Sequence, residues 1–329
     1  MSTFLLERQE YSPALFLFPS NHLRYAEYHA MINIDNAPVF GRVAGESGIV
    51  IAGMPVFGTT NKPDYSPIDL TTEKLDERIR FMCASSHACY DKNGLIYYAG
   101  PDECPVEYIN GVAVGRHEPE AQSTNYLRFS GAYYTAYRCY YQYNRPSPDG
   151  LNTAVNIITT TVNNGASFCD VDSLVGIECT TSIIAKHVSG ACNWVFKQEG
   201  SSASDIIFTP AEKAFNRKSR TFTPILYSGH VRMSLLNYGT LAVEDTACSF
   251  HRQMEQGKIA TSPIKESTVF TTRGASFLLV EMQGAAGIRV RYTTGDYDEY
   301  PANGEEWFPL PWSKKNWGTR YIPTIEYIQ

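Results

Sequence analysis

Residues Ala154-Val155-Asn156-Ile157-Ile158-Thr159-Thr160-Thr161-Val162, running straight into Asn163-Asn164-Gly165, decide the fold class. The stretch is dense in Val, Ile and Thr, whose branched side chains suit a pleated surface, and it ends in a turn signal. Outward from it the same texture repeats. Runs at 95–99, 106–114, 126–143, 175–187, 194–197, 205–208, 224–236, 276–283 and 288–294 are rich in Tyr, Val, Ile, Thr and Phe. Gly, Pro, Asn and Asp separate them, as in Asn144-Arg145-Pro146-Ser147-Pro148-Asp149-Gly150, and Asn110-Gly111 suits a type I′ hairpin. No strand–helix–strand alternation and no 20–50-residue repeat interrupts this, which excludes a parallel α/β sheet and a solenoid reading. The expected class is all-β: an eight-stranded jelly-roll sandwich, ahead of an immunoglobulin-like layout, with few short helices.

Two helices are expected. Over 72–82, Leu75, Ile79 and Met82 fall at i, i+4 and i+7, with Glu73, Lys74, Asp76, Glu77 and Arg78 on the other face. The second begins at Thr209-Pro210-Ala211-Glu212, where a hydroxyl, a Pro and a Glu have capping-box spacing. Residues 1–100 read as an extended amino-terminal arm, with short apolar runs such as 49–54 and 55–57 held against something. Residues 101–312 read as the jelly roll and 313–329 as a carboxy-terminal tail.

The chain has 329 residues, and 28 Lys and Arg against 34 Asp and Glu give a net charge of −6. That field repels a phosphate backbone, which argues against a dedicated nucleic-acid binder. Charged residues make up 19%, while 22 Tyr stand against 4 Trp. Low charge with abundant Tyr matches the buried centre of a protein–protein contact. No apolar run approaches a membrane span, and the first ten residues carry Glu7, Arg8 and Glu10 rather than a signal-peptide pattern. Eight scattered cysteines and no Asn-x-Ser/Thr sequon suit a reduced protein made in the cytosol.

Motifs for nucleotide, phosphate, serine-hydrolase or zinc-protease chemistry are absent, so no cofactor and no enzyme activity is expected. Three clusters hold candidate chemistry. Cys83, His87, Cys89 and Cys104 have metal-ligand atoms, but Cys-x5-Cys fits no common zinc knuckle, so buried thiols are the reading. Lys213, Arg217, Lys218 and Arg220 could touch RNA phosphates, with a solvated helix end as the plainer reading. Asp296, Asp298 and Glu299 could pair for glycosidase acid–base work, against a solvated strand end.

Three features resemble the capsid proteins of picorna-like viruses. Tyr126-Leu127-Arg128-Phe129-Ser130-Gly131-Ala132-Tyr133-Tyr134-Thr135-Ala136-Tyr137-Arg138 is similar to the family's early jelly-roll strand. Ile288-Arg289-Val290-Arg291-Tyr292-Thr293-Thr294-Gly295-Asp296-Tyr297-Asp298-Glu299-Tyr300 is similar to its last strand, and Gln329 suits cleavage by a viral cysteine protease. The resemblance implies a structural subunit of an icosahedral positive-strand RNA virus shell. Its partners would be other capsid subunits, the enclosed genomic RNA and a host receptor, and its location the virion after synthesis in the host cytoplasm. The rival expectations are a trimeric phage or virus tail protein that binds carbohydrate, and a β-sandwich glycoside hydrolase. The aromatic segment Trp307-Phe308-Pro309-Leu310-Pro311-Trp312 either docks on a neighbour or closes this chain's own core.

Overall fold

A computed structural model of the chain describes residues 48–51, 54–57, 63–128, 135–160, 165–171, 174–238, 244–265 and 269–329. The chain divides into two units, Met1–Lys62 and Pro63–Gln329. In the first, Gly48–Ile51 pairs antiparallel with Met54–Phe57 as a hairpin, on the apolar runs read from the sequence. The rest of that unit, and with it most of the expected arm, lies outside the described residues. The boundary falls at residue 62 rather than 100, because residues 63–100 supply strands to the second unit.

Within the second unit eight strands form a jelly roll. Ala154–Thr159, Thr246–Gln256, Cys179–Ser189 and Asn216–Phe222 lie side by side in that order in one sheet. Ala166–Val171, Val231–Tyr238, Asn193–Gln198 and Ile206–Phe208 make the other. Every pairing is antiparallel, and the chain crosses between sheets so that the last two strands slot into the middle of both. This is the double Greek-key connectivity of a jelly roll. Cys139–Arg145 and Thr135–Tyr137 extend one edge of each sheet. Ile157, Ile183, Trp194, Phe196, Phe208, Met233, Leu235 and Met254 pack between the layers. Of the segment 126–138 singled out in the sequence, residues 129–134 lie outside the described residues.

The sheet containing Cys179–Ser189 is covered on its other face too. The hairpin His87–Tyr90/Ile96–Ala99 lies there, with Ala88, Ile96 and Trp317 packed on Ile184, Cys248 and Phe250. Burial on both faces leaves Thr246–Gln256 buried at every position but the last. Phe250 is an extra residue in that strand's ladder, a bulge that shifts which side chains face each layer.

A second, smaller sandwich flanks the jelly roll in sequence. Trp307–Pro309, Ser276–Glu281 and Ile79–Cys83 form one sheet. Tyr297–Pro301, Gly287–Arg291, Thr324–Ile328 and Ile68–Asp69 form the other. Ile68, Phe81, Leu278, Val280, Val290, Leu310 and Ile325 fill its core. The aromatic segment therefore closes this chain's own core: Leu310 is buried, and Trp312, still exposed, donates its Nε1–H to the Ser276 carbonyl.

Among the described residues there is no helix, and both helix expectations are corrected. Residues 71–78 bend and turn, with Asp76 accepting from the Arg78 amide at 2.9 Å, and the chain then enters strand Ile79–Cys83. Ile79, Phe81 and Cys83 alternate inward while Met82 faces solvent, so a period of two overrides the apparent period of 3.6. At Thr209, the Glu212 carboxylate does accept the Thr209 amide at 2.8 Å, but the motif closes one turn and the chain leaves as strand Asn216–Phe222. The type I′ expectation holds: Asn110 and Gly111 carry φ of 52° and 79° between the paired Ile109 and Val112.

Candidate binding surface

The jelly roll's connections gather at two ends. At one end, residues 174–178, 199–205 and 223–230 lie together, since they lead between strand ends on the same side of the sandwich. The Gly176 amide donates to the Pro224 carbonyl at 3.0 Å, joining the first and third. The buried Gln198 amide clamps the third loop from below, its Nε2 donating to the Ile225 carbonyl at 2.6 Å and its Oε1 accepting the Ile225 N–H at 3.2 Å. Ser228 and Gly229, both at positive φ, close the Tyr227–His230 turn. On this fixed platform Val175, Ile177, Ile225, Leu226 and Tyr227 stand 38–58% exposed. Five large apolar side chains gather at the surface on two segments joined to each other, one of them clamped from below by Gln198.

Beside the patch, on the face of the Val231–Tyr238 sheet that points away from the core, a cavity of about 330 Å³ is lined by Tyr137, Ala166, Lys197, Glu199, Gly200, Tyr227 and Leu236. Glu199 accepts from the Ser234 hydroxyl at 2.5 Å, and Lys197 reaches Asp205 at 3.5 Å. Gly200, at φ +81°, is required here, because a Cβ would meet the Tyr227 ring at 2.8 Å. Further along that face Arg232 grips Asp170 through two bonds of 2.7 and 2.9 Å, holding the Asp170 carboxyl below its usual range. Along the extended edge, Tyr137, Tyr140 and Tyr143 are likewise exposed.

At the opposite end Gly190 lets the chain wrap the buried Asp245 carboxylate. Its oxygens accept the Ala191 and Cys192 amides, both at 3.1 Å, and Asn237 Nδ2 at 3.0 Å. That end is tied internally, in contrast to the apolar one.

The residues singled out from sequence fall as follows. Arg217 turns inward, donating to the Ser182 hydroxyl and the Thr261 carbonyl beneath Trp317. Lys218 pairs with Glu212 at 2.6 Å, Arg220 donates to the Ala203 carbonyl, and Lys213 meets His187 and the Val188 carbonyl. The stretch is an edge strand rather than a helix end, and cations on an edge oppose pairing with another chain. Asp296 pairs with Arg320 and Glu299 with Arg289, while Asp298 accepts from the Tyr292 and Tyr300 hydroxyls. Arg320 thus stands between Asp296 at 3.1 Å and Asp298 at 4.0 Å, while Glu299 is held apart from both by Arg289.

Cys83 and Cys104 belong to the second sandwich's core, with burial pushing the Cys104 thiol up to about 12. His87 and Cys89 instead meet His117, which nothing in the sequence pattern flagged. Burial, with His117 beside it, pushes His87 down to about 3, so its ring is neutral. At His117 burial pulls downward, but the hydrogen bond and charge of Glu107 outweigh it and lift the ring above its usual range.

No known family's sequence profile matches the chain, and no curated protein sequence does. Among solved structures, a family 16 carbohydrate-binding module is similar at 11% identity and TM-score 0.25, covering 38% of this chain and 86% of its own. The enzymatically active domain of bacteriophage CBA120 tailspike protein 4 is similar at 13% identity and TM-score 0.24, over 40% of this chain and 19% of its own. The module named BiXyn10A CBM1 is similar at 11% identity and TM-score 0.23, over 42% and 96%. At these scores the functional reading rests on the chain's own geometry.

Proposed function

We propose that this chain is a structural subunit of a non-enveloped icosahedral RNA virus shell, working by assembly with like subunits around the genome. The observation that supports it most is the clamped apolar end of the jelly roll, Val175, Ile177, Ile225, Leu226 and Tyr227. A solitary protein in water gains nothing from holding five apolar side chains outward at one end, whereas a subunit contact does. The uncovered tyrosines at the sheet edge point the same way. On this reading Lys213, Arg217, Lys218 and Arg220 shape an edge strand, and contact with RNA is left to other parts of the subunit.

The test is sedimentation and electron microscopy of the full chain, alone and with its companion subunits. Pentamers or larger particles that dissolve on Leu226→Asp are the expected result. A monomer at tens of micromolar, unchanged by that substitution, would overturn the reading.

The cavity lined by Tyr137, Tyr227, Lys197 and Glu199 favours a second reading, a carbohydrate-binding attachment protein. Aromatic rings beside charged hydrogen-bonding groups suit a sugar ring. Binding on a glycan array, lost in Tyr227→Ala with folding intact, would select it; an empty array removes it.

A further inference from the structure

His87 and Cys89 lie two residues apart on the His87–Tyr90 strand and so share a face. His117 meets them from the segment that follows strand Val112–Gly115. The ligand atoms of all three lie within 4.8 Å of one another, and none of the side chains is more than 3% exposed. Among the described residues Nε2 of His117 has no hydrogen-bond partner, and the ring nitrogens of His87 make no bond of good geometry, the Ser85 backbone approaching that ring only weakly. Three buried ring nitrogens without a good partner in one space require an explanation, since leaving such groups unsatisfied is costly and rare. The histidine rings stand 5.1 Å apart under Phe81. Nδ1 of His117 is engaged by Glu107 Oε1 at 3.0 Å, and Oε2 of the same carboxylate accepts the Tyr90 amide at 3.0 Å. A carboxylate on the far nitrogen fixes the tautomer that leaves Nε2 free to ligate, as around bound metals generally.

We propose that His87, Cys89 and His117 bind one zinc-class ion, with Glu107 orienting His117 from behind. Two imidazoles and a thiolate select a borderline-soft ion over calcium or magnesium, which want oxygen. Ligand atoms around one tetrahedral zinc sit about 3.3–3.7 Å apart, so the trio closes by roughly 1 Å. The three ligands leave the fourth corner to a water. On binding, the Cys89 thiol gives its proton to solvent. The ion ties the hairpin covering the jelly roll to the 107–117 segment, whether or not the chain assembles into a shell.

The test uses the full chain purified with added zinc, then with cobalt. The expected result is about one zinc per chain by mass spectrometry and a thiolate-to-cobalt charge-transfer band. Cys89→Ser should abolish the band, and chelation should lower the melting temperature. Cys169→Ser, a buried thiol elsewhere, should keep both metal and band. Less than a tenth of an ion per chain with no cobalt band would overturn the proposal, and so would a metal content unchanged in folded Cys89→Ser. If Cys89→Ser fails to fold, the wild-type cobalt spectrum decides alone.

Discussion

Replacing Gly190 by Ala tests whether the tied end of the jelly roll is built around Asp245. Gly190 has φ +101°, and a Cβ there would fall 1.4 Å from Asp245 Oδ1 and 2.0 Å from its Cγ. The carboxylate is buried and accepts three hydrogen bonds, so it cannot yield without leaving the Ala191 and Cys192 amides and Asn237 unpaired. The backbone cost of a side chain at that φ is about 1–2 kcal/mol. Three lost bonds to a charged acceptor, about 1.5–3 kcal/mol each, add roughly 4.5–9 kcal/mol. The sum approaches the total stability of a typical domain, about 5–15 kcal/mol. Gly176→Ala is the matched control: φ is +75°, nothing lies within 4 Å of the new Cβ, and only the backbone cost applies. Urea unfolding followed by tryptophan fluorescence compares the two. If Gly190→Ala falls within about 1 kcal/mol of Gly176→Ala, the Asp245 account is wrong.

Three further outcomes are expected. Leu226→Asp should leave the melting temperature unchanged and weaken self-association at least about tenfold by ultracentrifugation, since it charges an apolar contact. Trp317→Ala should destabilise by about 3–5 kcal/mol in urea, because the buried ring stacks on Tyr90 at 4.7 Å and covers Arg217. Asp76 is held below its usual range by its hydrogen bonds to Arg78, so the pair stabilises fully above about pH 5 and less as pH falls through the carboxylate range. Asp76→Asn should flatten the acid limb of the stability curve by roughly 0.5–1 kcal/mol, discounted for partial exposure, and an unchanged limb would count against it.

The jelly roll was legible where branched and aromatic residues crowd a short run bounded by turn residues. Ala154–Thr159, Asn193–Gln198 and Ile206–Phe208 carry the branched and aromatic residues that mark such strands. Thr246–Gln256 was not, although it is the central strand of its sheet. His251, Gln253 and Glu255 face a second covering layer and satisfy one another there, Gln253 Nε2 donating to Glu255 Oε1 at 2.8 Å. Polar residues in a fully buried strand erase the alternation that sequence reading depends on. Asn216–Phe222 was hidden by its cations for the opposite reason, as an edge strand facing solvent. His117 lies 28 positions beyond Cys89, and only the fold brings it near, so no spacing rule could have placed it. The apolar end could not be foreseen either, because Val175, Ile177, Ile225 and Leu226 look like strand interior until the turns are in place.

The smaller sandwich draws its strands from both sides of the jelly roll. Thr324–Ile328 lies between Gly287–Arg291 and Ile68–Asp69, joining positions more than 250 residues apart. During synthesis, Ile68–Asp69 and Ile79–Cys83 leave the ribosome long before anything they can pair with exists. They must wait, exposed, until the whole central module has emerged and closed. That order makes the early strands a natural client for chaperones, and it makes completion of the second core a checkpoint passed only once Thr324–Ile328 has been made.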